Sequence, residues 1–218
     1  MEPTDGEVAP KEHDALPEMP FPSKGDHLID PSVEWWGRGT FGPDRHGLDE
    51  YSSGYKQAAD ILATRVISAG RDTERLILPI MFLYRHYLEL RLKELNTTGH
   101  ELLSKKGELP GGHSLMNLWA EARRILEEVW PAGSKKELHA MDVIIREFDK
   151  IDPEGVAFRY PTNSNGLSTL DSLRHLDLPK TCEVIGKAAN LLDSASAGIG
   201  EYLSNKREVE RGFENEHG

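Results

Sequence analysis

At 218 residues and 38% hydrophobic content, the chain suffices for one globular domain of ordinary size plus tails. Its 26 basic and 37 acidic residues leave a net charge of -11, which argues against a surface that grips nucleic acid through bulk electrostatics while leaving room for a local basic pocket. One cysteine, Cys182, excludes an internal disulfide, and no 18-residue apolar run or charged-then-apolar leader is present, so a cytoplasmic protein with no membrane contact is expected.

Residues 1–30 carry five prolines among acidic residues and too little apolar material to offset the entropy of ordering, which predicts a disordered or loosely draped arm. Residues 31–50 change character: Trp35, Trp36 and Phe41 among glycines read as an extended lid anchored by aromatics, or as a base-stacking platform with Arg38 and Arg45 nearby. A first helix is predicted from Ser53 to Ala69, with Ser52 or Ser53 as N-cap and Gly70 as stop. After the turn Gly70-Arg71-Asp72 a central helix spans Leu76 to Leu95, with Pro79 lying in its first turns or kinking it, antiparallel to the first. Residues 96–112 read as a loop with one helical turn near Glu101 to Lys105, and His113 stands at the mouth of a third helix, Ser114 to Trp130, that Pro131 ends. The Ser134–Glu137 capping box opens a fourth helix to Lys150. Val156 to Pro161 is strand-like in composition and is expected to make an extended excursion or small hairpin. A fifth helix follows from Leu178 to Leu203, with Asp177 as N-cap and Pro179 in its first turn, and the charged tail 206–218 is expected to fray. The pattern predicts an all-α, up-and-down bundle of four to five helices over residues 51–205. Cys182 falls on the apolar spacing of the last helix and reads as a small buried hydrophobe.

The central helix is the informative element. LILPIMFLYRHYLELRLKEL is apolar on every side in its first half, then plants charges in the same helix. Arg85, Glu89 and Lys93 recur at i, i+4 and i+8, and Phe82, His86, Glu89 and Lys93 trace an adjoining stripe. Such a seam faces a cleft, a subunit interface or compensating charges, because an unpaired ion taken from water costs several kcal/mol. It also reads as a plain Arg85–Glu89–Lys93 salt-bridge ladder on the helix's wet face.

No zinc spacing, phosphate-cradling glycine loop, nucleophile elbow or dinucleotide fingerprint occurs, so neither a metal nor another cofactor is expected. The blocks GYKQAADILATRVI, LPIMFLYRHYLELRLKEL, GGHSLMNLW and EFDKIDPEGVAFRYPTNSNG resemble successive blocks of a bacterial family related to the HEPN domains (higher eukaryotes and prokaryotes nucleotide-binding). The likeness covers roughly Tyr51 to Leu203, and its most specific pieces are Tyr84 to Leu90 and Phe158 to Pro161. It implies a helical bundle, frequently a homodimer, found in toxin, CRISPR-associated and phage-defence settings, with an Arg and a His across the dimer cleft in the active ribonucleases. The chain departs from that pattern: the last long helix lacks the usual Arg, four to six residues, then His, and only Arg211 and His217 in the tail fit the spacing.

Nuclease chemistry carried over from the resemblance therefore rests on other residues. Metal-independent RNA cleavage needs a base, an acid and a cation at the phosphate. His86 and His113 are the candidate acid and base, Arg85 or Arg159 the cation, Glu89 the orienting carboxylate, and Lys93 and Tyr160 the substrate contacts. Structural roles stand beside these: His113 capping or buttressing the third helix, and Arg159 and Tyr160 pinning their segment by pairing with Asp149, Asp152 or Glu89. His100, His139 and His175 lie in polar surroundings and read as solvated. Two functions are expected: an RNA-directed or ribonuclease component of a toxin or phage-defence system, or a non-catalytic module for dimerisation, nucleotide binding or partner-protein binding.

Overall fold

The computed structural model describes residues 21–28, 47–171 and 173–217. The chain divides into two units, Met1–Thr40 and Phe41–Gly218. Of the first, residues 21–28 form an exposed stretch with a turn in which the Ser23 amide donates to Asp26 Oδ2 at 2.7 Å. The expected Trp35–Trp36 lid lies outside the described residues, as does most of the arm.

The second unit is a bundle of five helices: α1 Leu48–Ala69, α2 Thr73–Leu102, α3 Leu115–Val129, α4 Lys135–Ile151 and α5 Leu178–His217. Among the described residues there is no strand, only one antiparallel bridge between Thr162 and Ser168. No helix among them is long and apolar enough to cross a membrane. The helix α2 is central, packing against α1, α3 and α5. Tyr84, Tyr87, Leu88, Leu92 and Leu95 are fully buried along it, and Leu115, Leu118, Ile125, Met141, Ile145, Ile185 and Leu192 complete the core from the other elements.

Several boundaries differ from the sequence reading, each for a tertiary reason. The helix α1 begins at Leu48, with Gly47 in the cap position, so residues 48–50 of the expected lid are helical. Ser52, expected to cap, is instead buried inside the helix with its hydroxyl donating to Asp49 O at 2.8 Å. Gly70 ends α1 in the left-handed region (φ 61°), donating its N–H to Val66 O at 3.0 Å. The helix α2 runs through Pro79 and on to Leu102, through residues expected to form a loop. Gly99 does not break it. A Cβ there would lie 2.4 Å from Ile125 Cγ2, so glycine is what lets α3 approach this closely. The buried Asn96 ties the same two helices by donating from Nδ2 to Leu118 O at 3.0 Å.

The caps of the remaining helices follow the sequence. Ser114 Oγ accepts from Asn117 N, Ser134 Oγ from Lys136 N, and Asp177 Oδ1 from Lys180 N. The end of α5 does not fray as expected but continues to His217, making a helix of 40 residues. Lys206 Nζ holds it down by donating to Glu101 O, Leu102 O and Ser104 Oγ at 2.6–3.1 Å, and Arg207 pairs with Glu101. A cation set on the C-terminal carbonyls of α2 opposes the dipole of that helix.

Residues 157–159 form a turn rather than a strand, and the expected small hairpin falls just after them, where Thr162 bridges Ser168 across the Asn163–Gly166 turn. Asp152 Oδ1 accepts from Val156 N at 2.7 Å and Ala157 N at 2.9 Å, and the amides of Arg159 and Tyr160 donate to Val156 O. Gly155 supplies the positive φ of 75° that this reversal requires. Cys182 is half-buried, its Sγ 3.5 Å from the Tyr84 hydroxyl.

Candidate polar site on the central helix

The seam of α2 resolves into two adjoining groups. In the first, Arg85 is 2% exposed and its guanidinium reaches in three directions. Nη1 donates to Glu89 Oε2 at 3.1 Å, Nη2 to His113 O at 2.8 Å, and Nε to Asp152 O at 3.0 Å, with Asp152 Oδ2 at 3.3 Å. One planar fork thus fastens the start of α3 and the end of α4 to the central helix. Arg85, a candidate phosphate cation from sequence, is turned inward and engaged with the fold. Gly155 makes room for it, since a Cβ there would lie 2.7 Å from Arg85 Nη1.

Glu89, also buried, is the hub. Besides Arg85 it receives Lys93 Nζ at 2.8 Å and His113 Nδ1 at 2.8 Å, both on Oε1. Burial pushes its carboxyl pKa up, but the hydrogen bonds from Lys93 and His113 outweigh burial and hold it below the usual range. An ionised Glu89 only accepts, so Nδ1 of His113 carries the proton shared with it, in a side chain that is 67% exposed. His113 does not cap α3, a role Ser114 takes; it buttresses the seam through both its carbonyl and its ring.

The second group is aromatic. The His86 ring meets Tyr55 of α1 edge-on at 4.4 Å and stacks on Phe82 at 5.7 Å. Burial lowers its pKa; the nearby Glu89 works against this, and Lys93, Arg159 and Arg85 add to it, so the imidazole is neutral at neutral pH. Arg159 lies over the rings of Phe82 and Tyr160 at 5.6 and 5.5 Å, with Nε donating to Gly155 O at 2.8 Å. It does not pair with Asp149, Asp152 or Glu89, because Asp152 and Glu89 are committed to Arg85, Lys93, His113 and the turn amides. Arg159 and Tyr160 are both exposed.

The structure therefore brings Arg85, Glu89, Lys93 and His113 into one network, with His86, Arg159 and Tyr160 beside it across Phe82 and Gly155. Sequence reasoning weighed Asp152 only as a partner of Arg159 and Tyr160 and missed it as the anchor of Arg85: it is one of several acids around the end of the fourth helix, and only the fold sets it opposite Arg85. It also missed Arg91, buried at 3% exposure, which bonds Asp49 Oδ1 at 2.5 Å and Glu94 Oε2 at 3.2 Å and lies 3.0 Å from Asp193 Oδ1, joining α1, α2 and α5. His100, expected to be solvated, is held by buried Glu121 at 2.6 Å, whereas His139 and His175 are exposed.

Among the described residues no group of three or more His, Cys, Asp or Glu side chains is arranged to hold a metal ion. Comparison with protein-family models, with curated proteins and with solved structures returns no match. What the site can do is read from its own chemistry: an exposed histidine backed by a buried carboxylate, two surface cations in Lys93 and Arg159, a neutral half-buried histidine, and the flat apolar faces of Phe82 and Tyr160.

Proposed function

We propose that this chain is a HEPN-like homodimeric protein of the bacterial cytoplasm whose seam binds RNA and cleaves it without metal, in a toxin or phage-defence setting. The observation that carries the reading is His113 Nδ1 on buried Glu89 Oε1, which Lys93 Nζ shares, in a histidine side chain that is 67% exposed. A histidine oriented in this way can give or take a proton at Nε2 without turning its ring. His86, kept neutral by burial, is suited to accept a proton from a 2′-hydroxyl, and His113 to return one to the leaving oxygen. Lys93 and Arg159 face the phosphate charge, and Tyr160 offers a base a stacking surface.

A second reading is favoured by Arg85, because the seam's most central cation holds the fold together and leaves less charge for a transition state. On this reading the same surface binds a nucleotide or a partner protein, or joins two subunits, without catalysis. A fluorescent mixed-sequence RNA incubated with chelator separates the two. Cleavage that disappears in His113→Ala and Arg159→Ala, with melting midpoints nearly unchanged, supports the ribonuclease. Binding without cleavage supports the module, and neither binding nor cleavage sinks both RNA readings. Light scattering at tens of micromolar, about the range where weak dimers still form, tests the homodimer.

A further inference from the structure

The hairpin closed by Thr162 and Ser168 carries the chain's only Asn-Gly pair, Asn165 and Gly166. Asn163 Oδ1 builds its tip by accepting from Asn165 N at 3.0 Å and Leu167 N at 3.1 Å, and Gly166 N donates to Asn163 O at 2.9 Å. Gly166 stands in the left-handed region at φ 75°, and a Cβ there would meet nothing within 4 Å. Residues 164–168 are all exposed. The Asn163 side chain is spent on the turn, whereas the Asn165 carboxamide has no hydrogen-bond partner among the described residues.

These features set a carbonyl carbon beside an accessible nitrogen. A bond from the Gly166 nitrogen to Asn165 Cγ closes a five-membered ring, and glycine brings no side chain to crowd it. The one hydrogen bond that restrains this nitrogen belongs to an exposed tip, where local opening costs little. No other asparagine combines these conditions. Asn96 is buried in α2, and Asn117, Asn190, Asn205 and Asn215 lie in helices, whose backbone hydrogen bonds hold the amide that follows. Asn163 is followed by Ser164, whose Cβ hinders the same closure.

We propose that Asn165 is a site of spontaneous deamidation, converting to isoaspartate and aspartate through a cyclic imide. The Gly166 nitrogen loses its proton and bonds to Asn165 Cγ, the Cγ–Nδ2 bond breaks, and the side-chain amide leaves as ammonia carrying that proton. Water then opens the ring at one of its two carbonyls. Opening at Cγ gives aspartate, and opening at the main-chain carbonyl gives isoaspartate, with the chain running through Cβ and Cγ and so one carbon longer. Both products place a carboxylate at the tip. The base of the hairpin adjoins the seam, since Thr169 Oγ1 donates to Tyr160 O at 2.7 Å. The test holds the full chain at mildly alkaline pH, digests samples over time, and reads each asparagine by peptide mass and by an isoaspartate-specific methyltransferase. Asn165 should convert at least about tenfold faster than any other asparagine and yield methylatable product. Gly166→Ala should slow it by about tenfold or more, because the added Cβ crowds the ring and disfavours the positive φ. A smaller margin over Asn163 or Asn205, aspartate without isoaspartate, or an unchanged rate in Gly166→Ala would overturn the proposal. The ranking among asparagines is read in the wild type, so it decides even if Gly166→Ala rebuilds the turn.

Discussion

Replacing Arg85 by Met separates a structural seam from a catalytic one. The side chain is buried, and its loss removes three hydrogen bonds, to Glu89, to His113 O and to Asp152 O. Methionine has similar length and no charge, so the main cost is two buried carboxylates that lose their shared cation. Removing one member of a buried ion pair costs about 3 to 5 kcal/mol. Glu89 keeps Lys93 and His113, and Asp152 keeps the amides of Val156 and Ala157, which sets the expectation at the lower end, about 3 kcal/mol. For a chain of this size each kcal/mol moves the midpoint by about 2 to 4 °C, so a fall of about 6 to 12 °C is expected by differential scanning calorimetry. Arg85→Lys should recover only part of it, because an ammonium cannot reach three acceptors as a fork does. Adding Glu89→Gln to Arg85→Met should cost less than the sum of the two single changes, since the second removes a charge the first left unpaired. A midpoint within about 2 °C of wild type for Arg85→Met would refute the reasoning, because it would mean this guanidinium does not bear on the fold.

Two further outcomes follow from the same contacts. The folded-state pKa of His86 lies below its unfolded value, so the unfolded chain binds the proton first and stability falls as pH drops through about 6.5; the depressed Glu89 carboxyl adds a second loss at lower pH, near its unfolded value of about 4.5. His86→Phe should therefore flatten the decline in melting midpoint between about pH 7.5 and pH 5.5, and an unchanged slope would count against a half-buried neutral imidazole. Lys206→Met should cost about 1 kcal/mol and speed amide hydrogen exchange in residues 204–217, because it frees the carbonyls of Glu101 and Leu102 and loosens the end of α5; exchange equal to wild type would show that the tail is helical without this tie.

The helical bundle was legible in the sequence because it rests on local signals. Apolar spacing in LWAEARRIL or VIGKAANLL needs no partner to be read, and Ser114, Ser134 and Asp177 announce their helices by the hydrogen bonds a short polar side chain makes to the next turn. The charged face of α2 was legible for the same reason: Arg85, Glu89 and Lys93 are neighbours on any helix, and two of the contacts predicted by that spacing are present. What the tertiary structure alone decided is everything that depends on residues far apart in the chain. Arg85 turns inward because Asp152 arrives from 67 residues away; Gly99 continues a helix because Ile125 lies against it; the tail stays ordered because Lys206 finds the end of α2; and Arg159 remains at the surface, over Phe82 and Tyr160, while Asp152 and Glu89 are engaged by Arg85, Lys93 and His113. A short-range pattern is the same in every chain that carries it, whereas the partner of a buried charge is set by which segments the core brings together, and that depends on all the packed residues at once.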